Sequence, residues 1–174
     1  MLFRSIKISP NDLNLPSPNE IGSTFKENSK IKAEYFAEKA NLIAISDDSG
    51  LMIDLLSDAP GIYSSRWAGP TNDFNVAIEK VYNELKKVEF ERNKKKEIVA
   101  KFISCLTVYW LNGKFISSTG IVEGRISKIK KGTNGFGYDP IFIPHGYNKT
   151  FGELKPQEKL KIDHRSKEIG RAHV

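Results

Sequence analysis

Two adjacent carboxylates, Asp47 and Asp48, stand in the segment ISDDSGLMID between two apolar runs. Carboxylate oxygens are the ligands that hard divalent cations choose, and Mg²⁺ commonly uses one or two of them together with substrate phosphates. Adjacent strand residues face opposite sides of a sheet, so one aspartate can hold a metal or activate water while its neighbour points away. The alternative is an ordinary turn, since Asp, Ser and Gly are turn formers. Taken alone, the segment favours the turn.

A second segment, GTNGFGYDPIF, begins at Gly132 and combines glycine with aromatic residues. Gly135 and Gly137 allow the backbone to approach a ligand closely. Phe136 and Tyr138 offer ring faces that could stack on a base, and Asp139 adds a polar anchor. The alternative is a packing corner, for which the same residue types are used.

A third segment, KLKIDHR, runs from Lys159 to Arg165. Helical spacing would place Lys159 one turn from Asp163. His164 and Arg165 are rich in hydrogen-bond donors and could read a carbonyl on a purine. The alternative is a solvated basic helix end.

The elements that must position these residues mix helices with strands. A helix is predicted over Gly22–Ala40 with Ser23 or Thr24 as N-cap, followed by a buried strand over Asn41–Ser46 that ends at the two aspartates. An amphipathic helix is predicted over Thr71–Val88, capped by Thr71 or Asn72. A hairpin follows, in which Asn112-Gly113 joins the strands Ile98–Leu111 and Lys114–Ile126. The last predicted element is a helix over Pro156–Lys167. We therefore predict one α/β domain, residues 1–174, around a mixed sheet.

Composition limits the classes of partner. Among 174 residues, Lys and Arg number 27 against 21 Asp and Glu, a net charge of +6. The basic runs contain no interleaved aromatic residues, so a small anionic substrate explains the bias better than a nucleic acid. The single cysteine, Cys105, lies among apolar residues, which predicts a buried thiol and a reducing, cytoplasmic setting. No apolar run is long enough to span a membrane, so we expect no membrane partner.

The segments GSTFKENSKIKA, ISDDSGLMID, APGIYSSRWAG, GTNGFGYDPIF and EKLKIDHR are similar, in order and spacing, to those of the inosine/xanthosine triphosphate pyrophosphatases. The resemblance extends from Glu20 to Arg165. It implies an elongated α/β fold with a mixed sheet, flanking helices and a central substrate cleft. It also implies a homodimer that cleaves ITP, dITP and XTP between the α and β phosphates with Mg²⁺, giving the monophosphate and pyrophosphate.

The resemblance assigns roles around the metal and the phosphates. Glu20 and Asp48 would bind Mg²⁺, and Asp48 would also act as the base toward water, with Asp47 left to orient or cap the turn. Ser49 would touch the substrate. Lys32 and Lys159 would neutralise phosphate charge, which phosphoryl transfer requires.

The same resemblance implies a base pocket. Its walls would be Phe136, Gly137, Tyr138 and Asp139. Donors from His164 and Arg165 would bind the 6-keto group that distinguishes hypoxanthine and xanthine from adenine. Such a site discriminates because an amino group would leave the buried donors unpaired.

Both ends of the sequence depart from the family pattern. The family begins with a strand and a Thr/Ser-Gly-Asn-x-x-Lys loop that cradles the triphosphate, and neither is found before Glu20. At the DNA level, MLFRS and EIGRAHV match the two strands of one common sequencing-library adapter. We therefore expect residues 1–5 and 168–174 to be translated adapter around a gene fragment, and we expect that fragment to be destabilised and weakly active or inactive.

Two other functions fit the residues. A pyrophosphatase of related fold could act on pyrimidine triphosphates, although the His164-Arg165 pair favours a purine. Alternatively, the chain could be a nucleotide-binding module without catalysis.

Overall fold

The chain forms one antiparallel sheet with helices packed on it. The structure is a computed structural model and describes residues 7–92 and 97–164, without the side chains of residues 89–92. Its helices are α1 (Phe25–Ala40), α2 (Phe74–Arg92) and α3 (Pro156–Lys159), and its strands are β1 (Ala44–Ile53), β2 (Val99–Tyr109), β3 (Phe115–Ile126) and β4 (Phe142–Pro144). The expectations for residues 1–5 and 168–174 lie outside the described residues.

Helix α1 is built as its sequence predicts. Thr24 is the N-cap, and its hydroxyl accepts a hydrogen bond from the Glu27 amide. The helix ends at Asn41, whose φ of 52° is left-handed. The buried Ala33 and Ala37 pack against Tyr109 of the sheet, so the small residues of α1 let the helix lie close on the strands.

Strand β1 corrects the prediction for the two aspartates. The strand was expected to end at Ser46, but it runs from Ala44 to Ile53 and pairs with β2 along its whole length, with Asp48 opposite Cys105. The prediction was wrong because a long partner strand supplies ladder hydrogen bonds that outweigh the turn preference of Asp, Ser and Gly. Asp47 therefore caps no turn; it lies in the strand, on the face opposite Asp48.

Gly50 shows why this segment contains glycine without turning. A Cβ at Gly50 would lie 2.4 Å from Ser64 Oγ and 2.5 Å from the Gly61 carbonyl oxygen. The turn at residues 61–64 therefore packs directly on the β1 backbone. The glycine permits close approach and has no role in a chain reversal.

The predicted hairpin is confirmed. Strands β2 and β3 pair antiparallel from Val99 with Arg125 to Tyr109 with Phe115, and Gly113 has a positive φ of 80° in the connection. Cys105 is fully buried and its thiol is free, as predicted. The strand order is β1-β2-β3-β4, so each strand pairs with its sequence neighbour, and every pairing between the described strands is antiparallel. The α/β class is confirmed, and the parallel component of the predicted mixed sheet does not occur in the described part of the chain.

Helix α2 covers the main core. Ile78, Val81 and Leu85 are buried at the predicted helical spacing. The predicted cap is wrong, because the Asp73 carboxylate, and neither Thr71 nor Asn72, accepts the hydrogen bond from the Asn75 amide. The core beneath α2 contains aromatic and aliphatic residues from the strands and from the segments around β4: Leu51, Ile53, Phe102, Val122, Tyr138, Phe142 and Phe151.

Helix α3 is shorter than predicted. It begins at Pro156 but ends at Lys159, and a further turn follows in which Asp163 N donates to the Lys159 carbonyl at 2.9 Å. The predicted positions 165–167 lie outside the described residues. None of the described helices is long and apolar enough to cross a membrane.

Candidate active site

One lysine joins two carboxylates between α1 and β1. Lys32 Nζ donates to Glu20 Oε1 at 2.7 Å and to Asp48 Oδ1 at 2.9 Å. Lys32 projects from α1, Asp48 from the middle of β1, and Glu20 from the irregular segment before α1. The structure thus brings together three residues that the sequence predicts as metal and phosphate ligands. We call Glu20, Lys32 and Asp48 the carboxylate cluster.

Burial sets the electrostatics of this cluster. Desolvation raises the pKa of the Asp48 carboxyl above its ordinary value, against the opposing hydrogen bond and charge of Lys32. For Lys32, desolvation alone would lower the amine pKa, but the hydrogen bonds to Glu20 and Asp48 outweigh it, so the pKa is raised. Lys32 is therefore protonated at neutral pH. When both acids are ionised, two carboxylates face the Lys32 ammonium, and the Arg66 guanidinium adds a second positive charge 4.0 Å from Glu20 Oε2.

The cluster fits a divalent cation. Asp48 Oδ2 is buried and has no hydrogen-bond partner among the described residues. A buried carboxylate oxygen without a partner is costly, and a cation would satisfy it. No group of three or more His, Cys, Asp or Glu side chains in residues 7–88 and 97–164 could hold a metal by itself. This ligand set suits Mg²⁺, which completes its coordination with water and phosphate oxygens.

Glu20 is held by two residues to which the sequence analysis gave no role. Arg66 Nη2 donates to the Glu20 carbonyl oxygen at 2.8 Å, and the amide of Gly22 donates to Asn28 Oδ1 at 2.8 Å. Arg66 is 46 residues away in sequence, so no local pattern reveals its contact. Asn28 does leave a signal, because asparagine is a poor helix former and stands here in the first half of a helix.

The glycine-rich segment wraps around one buried carboxylate. Asp139 Oδ2 accepts from Lys159 Nζ at 2.5 Å and from the Phe136 amide at 2.8 Å. Burial raises the pKa of Asp139, and the charge of Lys159 opposes this effect. Gly135 has a φ of 78°, and a Cβ there would lie 1.9 Å from the Asp139 carboxylate. Asp139 is therefore the anchor of its own loop, and its carboxylate is already occupied by Lys159 and Phe136.

The ammonium of Lys159, the last residue of α3, lies over the aromatic ring of Phe136 in this loop. The Phe136 side chain is exposed, and Lys159 Nζ lies 4.9 Å from the centroid of its ring. A flat base and a phosphate are the two chemical groups that such a pair can bind. Gly137, with a φ of 65°, continues the loop behind the ring.

The Tyr138 ring does not offer the stacking face that was predicted. Only 2% of the residue is exposed, its hydroxyl donates to the Ser64 carbonyl at 2.9 Å, and its ring meets Phe74 edge to face. Gly137, which has a φ of 65°, separates the two rings and breaks the regular alternation of side chains, so Phe136 points outward and Tyr138 points into the core. The predicted base-stacking role of the Tyr138 ring is therefore wrong, and Phe136 alone presents a ring to solvent in this segment.

The remaining predicted site residues are His164, Ser49 and Arg165. His164 is 3% exposed, and its ring stacks on Phe102 with centroids 5.0 Å apart. A ring in this position lies in the core, so the direct contact with a purine carbonyl that was predicted for His164 is not available in this structure. Ser49 lies in β1, on the face opposite Asp48, and is partly buried. Arg165 lies outside the described residues.

The segment from Gly61 to Arg66 forms hydrogen bonds with several parts of the site. Ser64 Oγ accepts from the Leu51 amide at 3.0 Å and donates to the Gly61 carbonyl at 2.7 Å, while the Ser64 carbonyl accepts from Tyr138. Arg66, two residues further on, holds Glu20. This segment therefore connects strand β1, the glycine-rich loop and the carboxylate cluster.

Two concavities lie elsewhere on the surface. One of about 590 Å³ is lined by the hairpin residues Trp110, Asn112, Gly113, Lys114, Phe115 and Ile116. The other, of about 310 Å³, lies at the far end of the sheet beside Glu97, Lys101 and His145. The larger one contains no carboxylate, and none of the predicted site residues lines either, so the chemistry points to the carboxylate cluster and the glycine-rich loop.

An antiparallel sheet flanked by helices, with a lysine-bridged acidic site, defines an α/β protein suited to a cation and a phosphate-bearing ligand. The Ham1 family matches residues 2–171. The chain is 42% identical over 160 residues to the dITP/XTP pyrophosphatase of Caulobacter vibrioides, a match that covers 92% of this chain and 80% of that protein. The chain belongs to the Ham1 family.

Solved structures agree with this assignment. A HAM1 protein from Coxiella burnetii superposes with a TM-score of 0.84 at 36% identity, covering 93% of this chain and 81% of that one. The Staphylococcus aureus Ham1 protein gives a TM-score of 0.83 at 35% identity, covering 94% and 81% of the two chains. The fold described above is therefore shared with experimental structures.

Proposed function

We propose that this chain hydrolyses dITP, XTP and ITP to the nucleoside monophosphate and pyrophosphate, with Mg²⁺ as cofactor. The relatives named dITP/XTP pyrophosphatases support the substrate class. The single observation that carries the chemistry is the carboxylate cluster, in which Lys32 holds Glu20 and Asp48 together. We further propose, on the family resemblance, a cytoplasmic homodimer.

Each residue of the site has its own role in the proposed hydrolysis. Asp48 takes a proton from water as the water oxygen bonds to the α phosphorus. The bond from that phosphorus to the bridging oxygen breaks, and pyrophosphate leaves with the bond's electron pair. Mg²⁺ held by Glu20 and Asp48 would supply positive charge to the phosphate oxygens. Lys32 and Lys159 add fixed positive charge at the same groups, where charge develops in the transition state.

The other side of the site would bind the base. The exposed Phe136 ring stacks on the purine, and the backbone at Gly137 approaches it closely. Asp139 shapes this pocket by fixing the loop. Ser49 and the donors of His164 and Arg165 remain part of the proposal, and His164 has to leave its stack on Phe102 to reach a ligand.

The test is release of pyrophosphate by the purified 174-residue chain from dITP and XTP with Mg²⁺, with dATP and dUTP as controls. We expect release at a low rate, in line with the weak activity expected of this chain, from the two 6-keto purines and little from the controls. Asp48→Asn should lose about 10²- to 10⁴-fold in turnover, the usual contribution of a general base, and should still bind nucleotide. Binding without any pyrophosphate release would indicate the non-catalytic module instead, and preferential use of dUTP would indicate the pyrimidine enzyme.

The assembly and the cofactor have tests of their own. Light scattering at micromolar concentration measures the mass, and a mass of one chain would contradict the homodimer. Activity that persists in excess chelator would contradict the role of Mg²⁺.

A further inference from the structure

Asn28 is a polar side chain in a place where helices usually bury apolar ones. It lies four residues after the N-cap of α1 and is fully buried, with no exposed surface. Helical side chains lean toward the N-terminus of their helix, so Asn28 reaches back toward the segment that precedes α1. Burial of an amide needs hydrogen-bond partners to offset its desolvation. The question is what these partners are.

The carbonyl oxygen of the Asn28 amide has a clear hydrogen-bond partner. Asn28 Oδ1 accepts from the Gly22 amide at 2.8 Å. Gly22 fits tightly here, since a Cβ at that position would lie 2.6 Å from Asn28 Oδ1 and 2.7 Å from Glu27 Cβ. This contact fixes the backbone two residues after Glu20. Asn28 therefore controls where the Glu20 side chain emerges.

The amino group of the Asn28 amide lies toward Asp48. Asn28 Nδ2 and Asp48 Oδ2 are both buried, and neither has a hydrogen-bond partner among the described residues. The Asn28 side chain lies next to that of Asp48. A carboxylate oxygen has two lone pairs, so Asp48 Oδ2 can accept from Asn28 Nδ2 with one of them and bind a cation with the other.

We propose that Asn28 is a positioning residue that sets the spacing of Glu20 and Asp48 for a shared divalent cation. The inference rests on the proposed function, because it assumes that the two carboxylates are the metal ligands. One buried side chain accepts a hydrogen bond from the backbone of the Glu20 segment and lies next to Asp48, so it links an irregular connection to a strand. Partners behind metal ligands commonly change metal affinity by about 10- to 100-fold when they are removed.

The experiment measures Mn²⁺ binding to the full chain by electron paramagnetic resonance, without nucleotide. The variant Asn28→Leu keeps the size of the side chain and removes both polar groups of the amide. If the leucine variant fails to fold, Asn28→Ala is the alternative, because alanine favours a helix. Ser29→Ala is the matched control, because Ser29 is equally buried on the same helix but bonds Thr107 and the Lys26 carbonyl instead. We expect about a tenfold or larger increase in the Mn²⁺ Kd for the Asn28 variants and no change for Ser29→Ala.

A structural role and a positioning role give different results. If Asn28 served stability only, a folded Asn28 variant would bind Mn²⁺ with the wild-type Kd, and that result would overturn the inference. An equal loss of Mn²⁺ affinity in Ser29→Ala would overturn it as well, because the effect would then follow from any buried polar group in α1. Where turnover is measurable, the Mg²⁺ concentration for half-maximal rate should rise while kcat at saturating Mg²⁺ stays near wild type.

The outcome separates the inference from the proposed function. A wild-type chain that binds Mn²⁺ but releases no pyrophosphate contradicts the hydrolysis, and the Kd comparison still decides the role of Asn28. A wild-type chain that hydrolyses dITP beside an Asn28→Leu chain of unchanged Kd supports the function and rejects the inference.

Discussion

Lys159 Nζ lies 2.5 Å from Asp139 Oδ2, and the two residues are only 9% and 2% exposed. A pair this deeply buried contributes little over apolar residues of the same size, but removing one partner leaves an uncompensated charge. The pair also fixes the loop that carries Phe136, since the same carboxylate oxygen accepts from the Phe136 amide. Stability and loop geometry therefore depend on one contact.

Lys159→Met should destabilise the chain by about 3 kcal/mol at pH 7, because Asp139 is left ionised in the core. The folded-state pKa of Asp139 already lies above its ordinary value of 3.8 and should rise further without the lysine. A group with a raised folded-state pKa favours folding below its unfolded pKa, and this contribution is lost as pH rises through the folded pKa. The destabilisation should therefore shrink as the pH falls from 7 toward 4, as measured by urea unfolding.

The matched control is the double variant Lys159→Met with Asp139→Asn. The amide cannot ionise and still accepts from Phe136, so we expect most of the lost stability to return at pH 7. A double variant that is less stable than Lys159→Met, or a pH-independent loss, would contradict this account.

Lys32→Met should affect metal and nucleotide in opposite directions. The ammonium occupies an oxygen of each carboxylate and repels a cation, so its removal should tighten Mn²⁺ binding by up to about tenfold, given the weakened electrostatics near a protein surface. The same change removes a positive charge that would face the triphosphate, so the KM for dITP should rise. Titration with Mn²⁺ and steady-state kinetics measure the two effects separately.

Lys30→Met is the control for this pair of measurements. Lys30 is on the same helix but contacts Glu34 at 3.3 Å instead of the carboxylate cluster. It should leave both constants unchanged. Weaker Mn²⁺ binding in Lys32→Met would show that the lysine supports the metal site and does not compete with it.

Phe136→Ala should raise the KM for XTP by about tenfold or more, because stacking of an aromatic ring on a base contributes about 1–3 kcal/mol. Mn²⁺ affinity should not change, since Phe136 lies in the glycine-rich loop beside Lys159 and is not one of the proposed metal ligands. Tyr147→Ala removes another exposed ring, after β4, and serves as the control. An unchanged KM in Phe136→Ala would remove the ring from the base pocket.

Tyr138→Phe should cost about 1 kcal/mol of stability and leave the KM unchanged. The hydroxyl gives the Ser64 carbonyl its hydrogen bond in a buried position, so its loss leaves an acceptor unsatisfied. Thermal unfolding followed by circular dichroism measures the first effect. A raised KM with unchanged stability would instead restore the substrate-binding role that the sequence predicted for this residue.

Local patterns in the sequence predict the helices and the hairpin well. The N-cap at Thr24, the Asn112-Gly113 connection and the spacing of Ile78, Val81 and Leu85 all act over a few residues, and the structure confirms each of them. The strand through Asp48 was missed because its stability comes from pairing with β2, more than 50 residues away. Turn propensity is a local quantity and cannot report such a partner.

In the candidate site, too, local patterns predict some residues, and contacts between residues distant in sequence determine the others. The motifs identify Glu20, Lys32 and Asp48, and the structure places them in contact. The directions of Tyr138 and His164 depend on which aromatic residues fill the core, and this is set by contacts with Phe74 and Phe102 that the motifs do not encode. Arg66 and Asn28 were missed as supports for a similar reason, since a supporting role is defined by what a side chain touches.

The position of Asp48 in the middle of a strand has a consequence for the dynamics of the site. Asp48 lies in a ten-residue strand, whereas Glu20 lies in a segment without helix or strand that is held by Arg66 and Asn28. Local opening of such a segment needs much less free energy than disruption of a sheet. Amide hydrogens around Glu20 should therefore exchange with solvent long before those around Asp48, and a bound cation should slow exchange mainly at Glu20. We therefore expect ligand exchange to depend on the Glu20 segment, while the proposed base stays in the sheet.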